Sequence, residues 1–275
     1  MPSFAGALII PETNRTLLFK NRDLIVQDHR DELVYDIDSF GVRGKDVVTG
    51  QNAGLAIGVN RHGLAVANTH VKNTEDPSYH LLTEQILMFA KDAEDGLQLV
   101  VDHLKQGRKY QWGNLVLADS DSMLVIEIAG NEHAMEWSQR KVVRTSHHIM
   151  LDTEDELRAE MGDAQIFEAS VKRVERGYDL LRKANSVNDT FSVLKDHGDI
   201  QGQSSLCRHA DPSGNHVTAM SYVIEIEYKT ETGKPKVIFH VANGNPCSSE
   251  YRAIPLVFPA DEEIMQRANQ IYFSE

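Results

Sequence analysis

The chain has 275 residues, 41% of them hydrophobic, and a formal net charge of -13 at pH 7. This length can bury a sizeable core, and no change of composition marks a linker, so we expect one domain over residues 1–275. The acidic balance disfavours binding to nucleic acid or to an anionic membrane surface. No apolar run approaches the roughly 20 residues that cross a bilayer, and no signal peptide is recognisable, so we expect a cytoplasmic protein.

The first 23 residues predict a β-hairpin. An apolar run over residues 4–10 is followed by a turn at residues 11–14 and by a second apolar run over residues 16–19. Two such runs around one turn are typical of antiparallel strands. Their pairing would bring the first residues of the chain close to Arg22 and Asp23, so that an amine, a guanidinium and a carboxylate share one strand end.

The next elements are an irregular segment, a second hairpin and a helical region. Residues 24–50 are charged and punctuated by glycine, which is typical of a loop-rich pocket wall. Small apolar residues on both sides of Asn60 and Gly63 predict a hairpin over residues 54–68. Apolar residues then recur at helical spacing over residues 79–105, and the break at residues 92–96 indicates two helices, with Asp95 as N-cap of the second.

The rest of the chain repeats this alternation of strands and helices. Strands are predicted within residues 111–144, a long helix over 153–184, and a shorter helix after Ser186, which caps it together with Asp189. Strands over 217–227 and 237–242 precede a final helix over 261–272. Tight turns between strands indicate antiparallel sheets, and grouped helices indicate covered outer faces, so we expect an α+β fold with two sheets between helical layers.

We expect neither a metal site nor a cofactor. His147 and His148 are adjacent and would point to opposite faces of a strand, so they would not bind one ion together. The two cysteines, Cys207 and Cys247, lack the paired spacing of a zinc site, and we expect them to be reduced and to serve in packing. No glycine-rich phosphate loop opens a helix, which leaves nucleotide cofactors without support.

Six short motifs follow one another along nearly the whole chain: Asn21-Arg22-Asp23, residues 58–65 with Asn68, residues 113–119 with 125–127, residues 144–148, residues 205–209 and residues 242–247. In this order they resemble the N-terminal-nucleophile (Ntn) hydrolases of the penicillin acyltransferase-like group and, more distantly, bile-salt hydrolase and penicillin V acylase. The resemblance implies a four-layer αββα sandwich. It also implies amide hydrolysis or acyl transfer on a small acylated amine or peptide-like substrate, without a cofactor.

The resemblance assigns roles to several residues. In active members the first residue supplies the nucleophile and its α-amine acts as the base, since an α-amine titrates near pH 8. Arg22 and Asp23 would be the pair that orients them. Asn68 and Ser146 would donate hydrogen bonds to the oxyanion. Residues in the other motifs that would contact the substrate are His147, Arg208 and Asn60.

The chain departs from the family at the nucleophile. Active members begin with Cys, whereas Met1 stands at that place here, and Ser146 replaces an Asn of the family. Three hypotheses stay open: Ser3 is the nucleophile, the amine of Pro2 acts after loss of Met1, or the domain binds a small molecule or a protein without catalysis. We favour an enzyme, because Arg22, Asp23 and Asn68 are all present and a charged pair at a strand end is costly to bury without a partner. Formation of a homo-oligomer is left open.

Overall fold

The computed structural model of the chain describes residues 3–25, 31–45, 49–161, 164–198, 201–210 and 216–274. Within these ranges the chain forms thirteen β-strands and six α-helices. The strands are β1 Ser3–Ile10, β2 Arg15–Leu24, β3 Leu33–Tyr35, β4 Ser39–Lys45, β5 Asn52–Asn60, β6 Ala65–Lys72, β7 Tyr110–Ala118, β8 Met123–Gly130, β9 Glu132–Ser138, β10 Lys141–Arg144, β11 Val217–Glu227, β12 Lys236–Asn243 and β13 Arg252–Leu256. The helices are α1 His80–Phe89, α2 Ala93–Lys105, α3 Glu154–Met161, α4 Ala164–Leu181, α5 Val187–Leu194 and α6 Glu262–Phe273.

The strands form two antiparallel sheets that pack face to face. One has six strands in the order β10-β1-β2-β11-β12-β13, and the other has seven in the order β3-β4-β5-β6-β7-β8-β9. The main hydrophobic core lies between the sheets, α1 and α2 cover the outer face of the seven-stranded sheet, and α4 and α5 cover that of the six-stranded sheet. The α+β class and the αββα layering expected from the sequence are confirmed. No helix in the described ranges is long and apolar enough to span a membrane.

Strands β1 and β2 form the predicted hairpin, and both are interior strands of the six-stranded sheet. Their register pairs Ser3 with Arg22. Side chains alternate between the two faces of a strand, and Leu18 packs in the core between the sheets while Phe19 packs against the helices. By the same alternation Ser3, Lys20 and Arg22 point between the sheets, and Asn21 and Asp23 point towards the helical layer.

Several predicted boundaries differ from those observed. Helix α2 begins earlier than expected, because the carboxylate of Asp92 accepts a hydrogen bond from the Asp95 backbone N–H at 2.9 Å; Asp92 is therefore the N-cap. The cap at Ser186 is confirmed, since its Oγ accepts from the Asp189 N–H at 3.1 Å. Strand β13 was not predicted from the sequence, and its Pro255 is tolerated because β13 is an edge strand of its sheet.

A buried carboxylate fixes the segment that follows β10. Glu127 is fully buried in β8 and accepts a hydrogen bond from Arg144 Nε at 3.0 Å. Its oxygens also accept the backbone N–H groups of Ile149, Met150 and Leu151 at 2.8 to 3.0 Å. One carboxylate therefore binds a buried guanidinium and holds the end of the loop that contains Ser146.

We expect Glu127→Gln to lower the free energy of unfolding by roughly 3 kcal/mol, because it removes the buried one of the two carboxylates, Glu127 and Glu136, that pair with the fully buried Arg144. The measurement is urea unfolding followed by circular dichroism. Glu132→Gln, at an exposed position of β9, is the matched control and should change stability by less than about 0.5 kcal/mol. Equal effects of the two substitutions would contradict this account of the network.

Candidate functional site

A buried lysine marks the end of the sandwich where Ser3 lies. The Nζ of Lys20 donates a short hydrogen bond to the backbone carbonyl of Asn68 in β6 and contacts Asn68 Oδ1 at 3.4 Å. The pairing of β5 with β6 extends only to Ile57 opposite Ala67, one residue before Asn68. The amine of Lys20, from the six-stranded sheet, thus binds the seven-stranded sheet where two of its strands part.

A small cavity of about 20 Å³ lies beside this contact. It is bounded by Ser3, Lys20, Arg22, Asp23, Leu24, Ala56, Asn68, Tyr79 and His80. Such a volume holds about one water molecule. Ser3, which carries a hydroxyl, and Lys20, which carries an amine, therefore line the same small cavity.

Burial changes the charge state of Lys20. The residue is 3% exposed, and burial, together with the nearby positive charge of Arg22, lowers the pKa of Lys20 from 10.5 to about 7, although Asp31 and Asp23 act in the opposite direction. A large fraction of the amine is therefore neutral at physiological pH. A neutral amine can accept a proton, which an ordinary surface lysine cannot do at this pH.

Arg22 forms its ion pair with Asp31 and not with Asp23. Arg22 Nη1 lies 2.6 Å from Asp31 Oδ1 and also donates to the Arg43 carbonyl at 3.0 Å. The hydroxyl of Tyr222 donates to the other oxygen of Asp31 at 2.6 Å. The two side chains of the expected orienting pair, Arg22 and Asp23, thus point to opposite faces of β2, and their role towards the first residues of the chain stays a prediction.

Asp23 lies in a second buried charge cluster beneath the helical layer. Its Oδ1 accepts from Thr218 Oγ1 at 2.8 Å, and its Oδ2 lies 3.6 Å from Arg173 Nη1 and 3.5 Å from Arg208 Nη1. Burial raises the pKa of Asp23 although both guanidinium groups lower it. Burial, together with the charge of Arg208, lowers the pKa of Arg173 to about 9. Arg208, expected to contact a substrate, has Asp23 as its ionic partner.

The amide of Asn68 is fully engaged with the protein. Its Nδ2 donates to the Leu55 carbonyl at 2.9 Å and to Thr83 Oγ1 at 2.8 Å. Since an amide nitrogen carries two hydrogens, neither remains for an oxyanion. The expected donor role of Asn68 would require one of these two hydrogen bonds to be exchanged, and it stays a prediction. Its observed role is to anchor Lys20 through its backbone carbonyl.

The loop after β10 brings a free hydroxyl towards the same strand end. Strand β1 pairs with β10 up to Ala5 opposite Arg144, so the loop that contains Ser146 begins beside the strand end where Ser3 lies. Ser146 is 8% exposed, and no hydrogen-bond partner reaches its Oγ within the described part of the chain. The structure thus leaves this hydroxyl available as a donor.

His147 next to it is also buried, and its Nδ1 lies 2.8 Å from Ser170 Oγ. Burial and the charge of Arg173 lower the pKa of His147 to about 4, so that the ring is neutral at pH 7. Its neighbour His148 instead contacts Thr153 Oγ1 through Nδ1 at 3.0 Å. The two rings therefore have different partners, although both residues lie in the loop after β10 and not in the strand that the alternation argument assumed.

Asn60 and Pro2 are the remaining candidates. Asn60 lies at the opposite end of β5, where its Oδ1 accepts from the His62 and Leu64 N–H groups at 3.0 and 3.2 Å. Its Nδ2 donates to the carbonyls of Leu87 and Ala90. Asn60 therefore shapes a turn away from Ser3, and its expected contact with substrate stays a prediction. Pro2 lies outside the described residues.

Comparisons with known proteins agree with this architecture. A family model described as acyl-coenzyme A:6-aminopenicillanic acid acyl-transferase matches residues 11–232. A mutant of conjugated bile acid hydrolase from Clostridium perfringens has 9% identity and a TM-score of 0.56, with coverage of 90% of this chain and 96% of that chain. A second variant of that hydrolase has 10% identity and a TM-score of 0.53, covering 94% and 99%. A search of curated proteins gives no match. At such identities the two structures show the fold alone.

Replacement of Lys20 should change how stability depends on pH. The unfolded chain keeps the lysine proton up to a pKa of 10.5, and the folded chain keeps it only up to about 7. Between these values the wild-type protein gains stability from Lys20 as pH rises, by up to roughly 1.4 kcal/mol per pH unit. The stability of Lys20→Met relative to wild type should therefore be highest near pH 7 and fall towards pH 10 in urea unfolding experiments.

Lys109→Met, at an exposed position, is the control, and its stability relative to wild type should not vary with pH. If the free energies of unfolding of Lys20→Met and wild type differ by the same amount at every pH in this range, Lys20 keeps its ordinary pKa and the account is wrong.

Proposed function

The chain belongs to the acyl-coenzyme A:6-aminopenicillanic acid acyl-transferase family, and from this premise we propose that it cleaves or transfers the acyl group of a small acylated amine or peptide-like substrate. The family and the Ntn-hydrolase-like fold support acyl chemistry on an amide bond in general. The choice of nucleophile and base is our own proposal. It departs from a mechanism in which the α-amine is the base.

The observation that carries the proposal is the buried amine of Lys20 beside the cavity that Ser3 also borders. A hydroxyl needs a base to become a nucleophile, and pairs of Ser with Lys are a known solution in acyl transfer. The pKa of Lys20, lowered to about 7, gives the base the right proton affinity near neutral pH. The hydrogen bond to the Asn68 carbonyl fixes the direction of the amine.

The proposed reaction conserves atoms and charge. Neutral Lys20 accepts the hydroxyl proton of Ser3 while Oγ attacks the acyl carbon, and the unpartnered hydroxyl of Ser146 donates to the oxyanion. The C–N bond then breaks, and the Lys20 ammonium returns the proton to the leaving amine. Water, or an acceptor amine in the case of transfer, attacks the acyl-Ser3 ester with Lys20 again as base. The acid or the new amide leaves, and the Ser3 hydroxyl is restored.

The size of the cavity favours a second candidate, a domain that binds a partner without catalysis. Sites for small molecules usually measure some hundreds of Å³, whereas this cavity has about 20 Å³. The proposed enzyme therefore has to open at this strand end to admit an acyl group. A non-catalytic protein would need no such opening.

We expect the wild-type protein to hydrolyse some members of a panel of chromogenic N-acyl anilides with acyl chains of different length. Ser3→Ala should lower kcat/KM by about 1000-fold or more. Because the base must be neutral, kcat/KM of the wild type should rise with pH through an apparent pKa near 7. Lys20→Met should remove this rise together with most of the activity.

The matched control is Ser192→Ala on the exposed face of α5, which should leave kcat/KM unchanged. Intact mass and N-terminal sequencing of each preparation establish which residue begins the chain. If Ser3→Ala keeps full activity and Pro2→Ala loses it, the catalytic role belongs to the amine of Pro2 and not to Ser3. Absence of turnover over the whole panel would favour the non-catalytic candidate.

A further inference from the structure

Four side chains with metal-binding atoms converge at one point away from the proposed catalytic cavity. They are His197, in the loop after α5, Cys207 and His209, in the segment of residues 201–210, and Cys247, in the turn after β12. One ligand atom of each lies within 4.8 Å of those of the other three. The fold thus assembles a set of two thiols and two imidazoles from three separate parts of the chain.

The three distances from His209 Nε2 to the other ligand atoms match those of a tetrahedral metal site, and the remaining separations lie within 4.8 Å. The Nε2 atoms of His197 and His209 are 3.0 Å apart, and His209 Nε2 lies 3.8 Å from Cys207 Sγ and 3.3 Å from Cys247 Sγ. Zinc bonds of about 2.3 Å to sulfur and about 2.05 Å to nitrogen require roughly 3.3 Å between two nitrogens and roughly 3.6 Å between nitrogen and sulfur in a tetrahedron. Each observed separation agrees within about 0.3 Å.

The surroundings of the cluster support a closed site. Cys207 is fully buried, and the other three residues are partly buried. Asn245 Nδ2 lies 3.7 Å from Cys207 Sγ and donates to the Arg208 carbonyl at 2.6 Å. A donor aimed at a ligating sulfur is typical of the residues that orient metal ligands. Four protein ligands would complete the coordination, as in structural zinc sites.

We propose that His197, Cys207, His209 and Cys247 bind one zinc ion in a structural Cys2His2 site. Thiolate and imidazole together select zinc over magnesium or calcium, which prefer oxygen ligands. On binding, the two thiols release their protons to solvent, and both imidazoles bind as neutral rings. The spacing of the cysteines in the sequence led us to expect packing roles, because the ligands are brought together only by the fold.

The site would fix the segment that carries Arg208. This residue stands between two of the ligands, and its guanidinium lies 3.5 Å from Asp23 Oδ2. Zinc would therefore hold one end of the buried cluster of Asp23, Arg173 and Arg208. The inference does not depend on the proposed acyl chemistry, since a non-catalytic domain would bind the ion equally well.

The test uses the full chain, purified under reducing conditions and freed of metal with a chelator. We expect one Zn²⁺ per chain in a competition titration with a chromophoric chelator. Substitution by Co²⁺ should give the intense visible bands of tetrahedral cobalt and a thiolate-to-cobalt charge-transfer band. Cys247→Ser should weaken zinc binding by at least about 100-fold, and Asn245→Ala by about 10-fold.

His133→Asn, at an exposed position of β9, is the matched control and should bind zinc as the wild type does. The cobalt spectrum of the wild type keeps the test decisive if a ligand variant fails to fold. Substoichiometric binding, a weak octahedral cobalt spectrum, or equal affinity in wild type and Cys247→Ser would overturn the proposal. So would a disulfide between Cys207 and Cys247 in the native protein whose reduced form binds no metal.

Discussion

The buried amine of Lys20 is the constraint on which the site depends. An amine enclosed between two sheets must find an acceptor, or its burial costs several kcal/mol. Its acceptor here is the Asn68 carbonyl, at the position where β5 and β6 part. This contact joins the two sheets across the core.

The start of α1 completes the same arrangement. A side chain at Gly54 would collide with the backbone carbonyl of His80 at 2.1 Å, so only glycine lets the helix approach β5 this closely. The Leu55 carbonyl next to Gly54 accepts from Asn68 Nδ2 and contacts His80 Nδ1 at 3.3 Å. One set of hydrogen bonds therefore positions Lys20 on β2, the start of strand β5 and the first turn of α1.

Strand β2 distributes charge to both of its faces. Between the sheets it presents Lys20 and Arg22, the latter paired with Asp31, and towards the helices it presents Asp23 between two arginines. A chain with a net charge of -13 thus concentrates buried positive groups around one strand end. Such an environment favours a neutral amine over an ammonium, and it also favours an oxyanion developing nearby.

Much of the fold was predictable because local patterns determine it. The first hairpin, the small-residue hairpin around Asn60 and the cap at Ser186 follow from turn and capping chemistry, and all three are observed. The site was less predictable because it depends on which face each residue occupies. Arg22 and Asp23 were expected to act together at one strand end, although alternation along a strand already separates their side chains.

Two features were missed, and each left a trace in the sequence. Lys20 directly follows the apolar run of residues 17–19 in a strand that proved to be central, where a charged residue is unusual. Cys207 and His209 are two residues apart, a spacing that can put two ligands on the same side of an extended segment. Their partners in the cluster could not be found from spacing, since His197 and Cys247 join them only through tertiary structure.

The most direct test of this account is the titration of Lys20 itself. The protein can be labelled with ¹³C at the lysine ε-carbons and followed by NMR from pH 5 to 11, with the Lys20 signal assigned from its absence in Lys20→Arg. The account predicts a transition near pH 7, well below the ordinary lysine value of 10.5. A Lys20 signal that titrates only near 10.5 would contradict it, because the amine would then be charged at neutral pH and unable to act as a base.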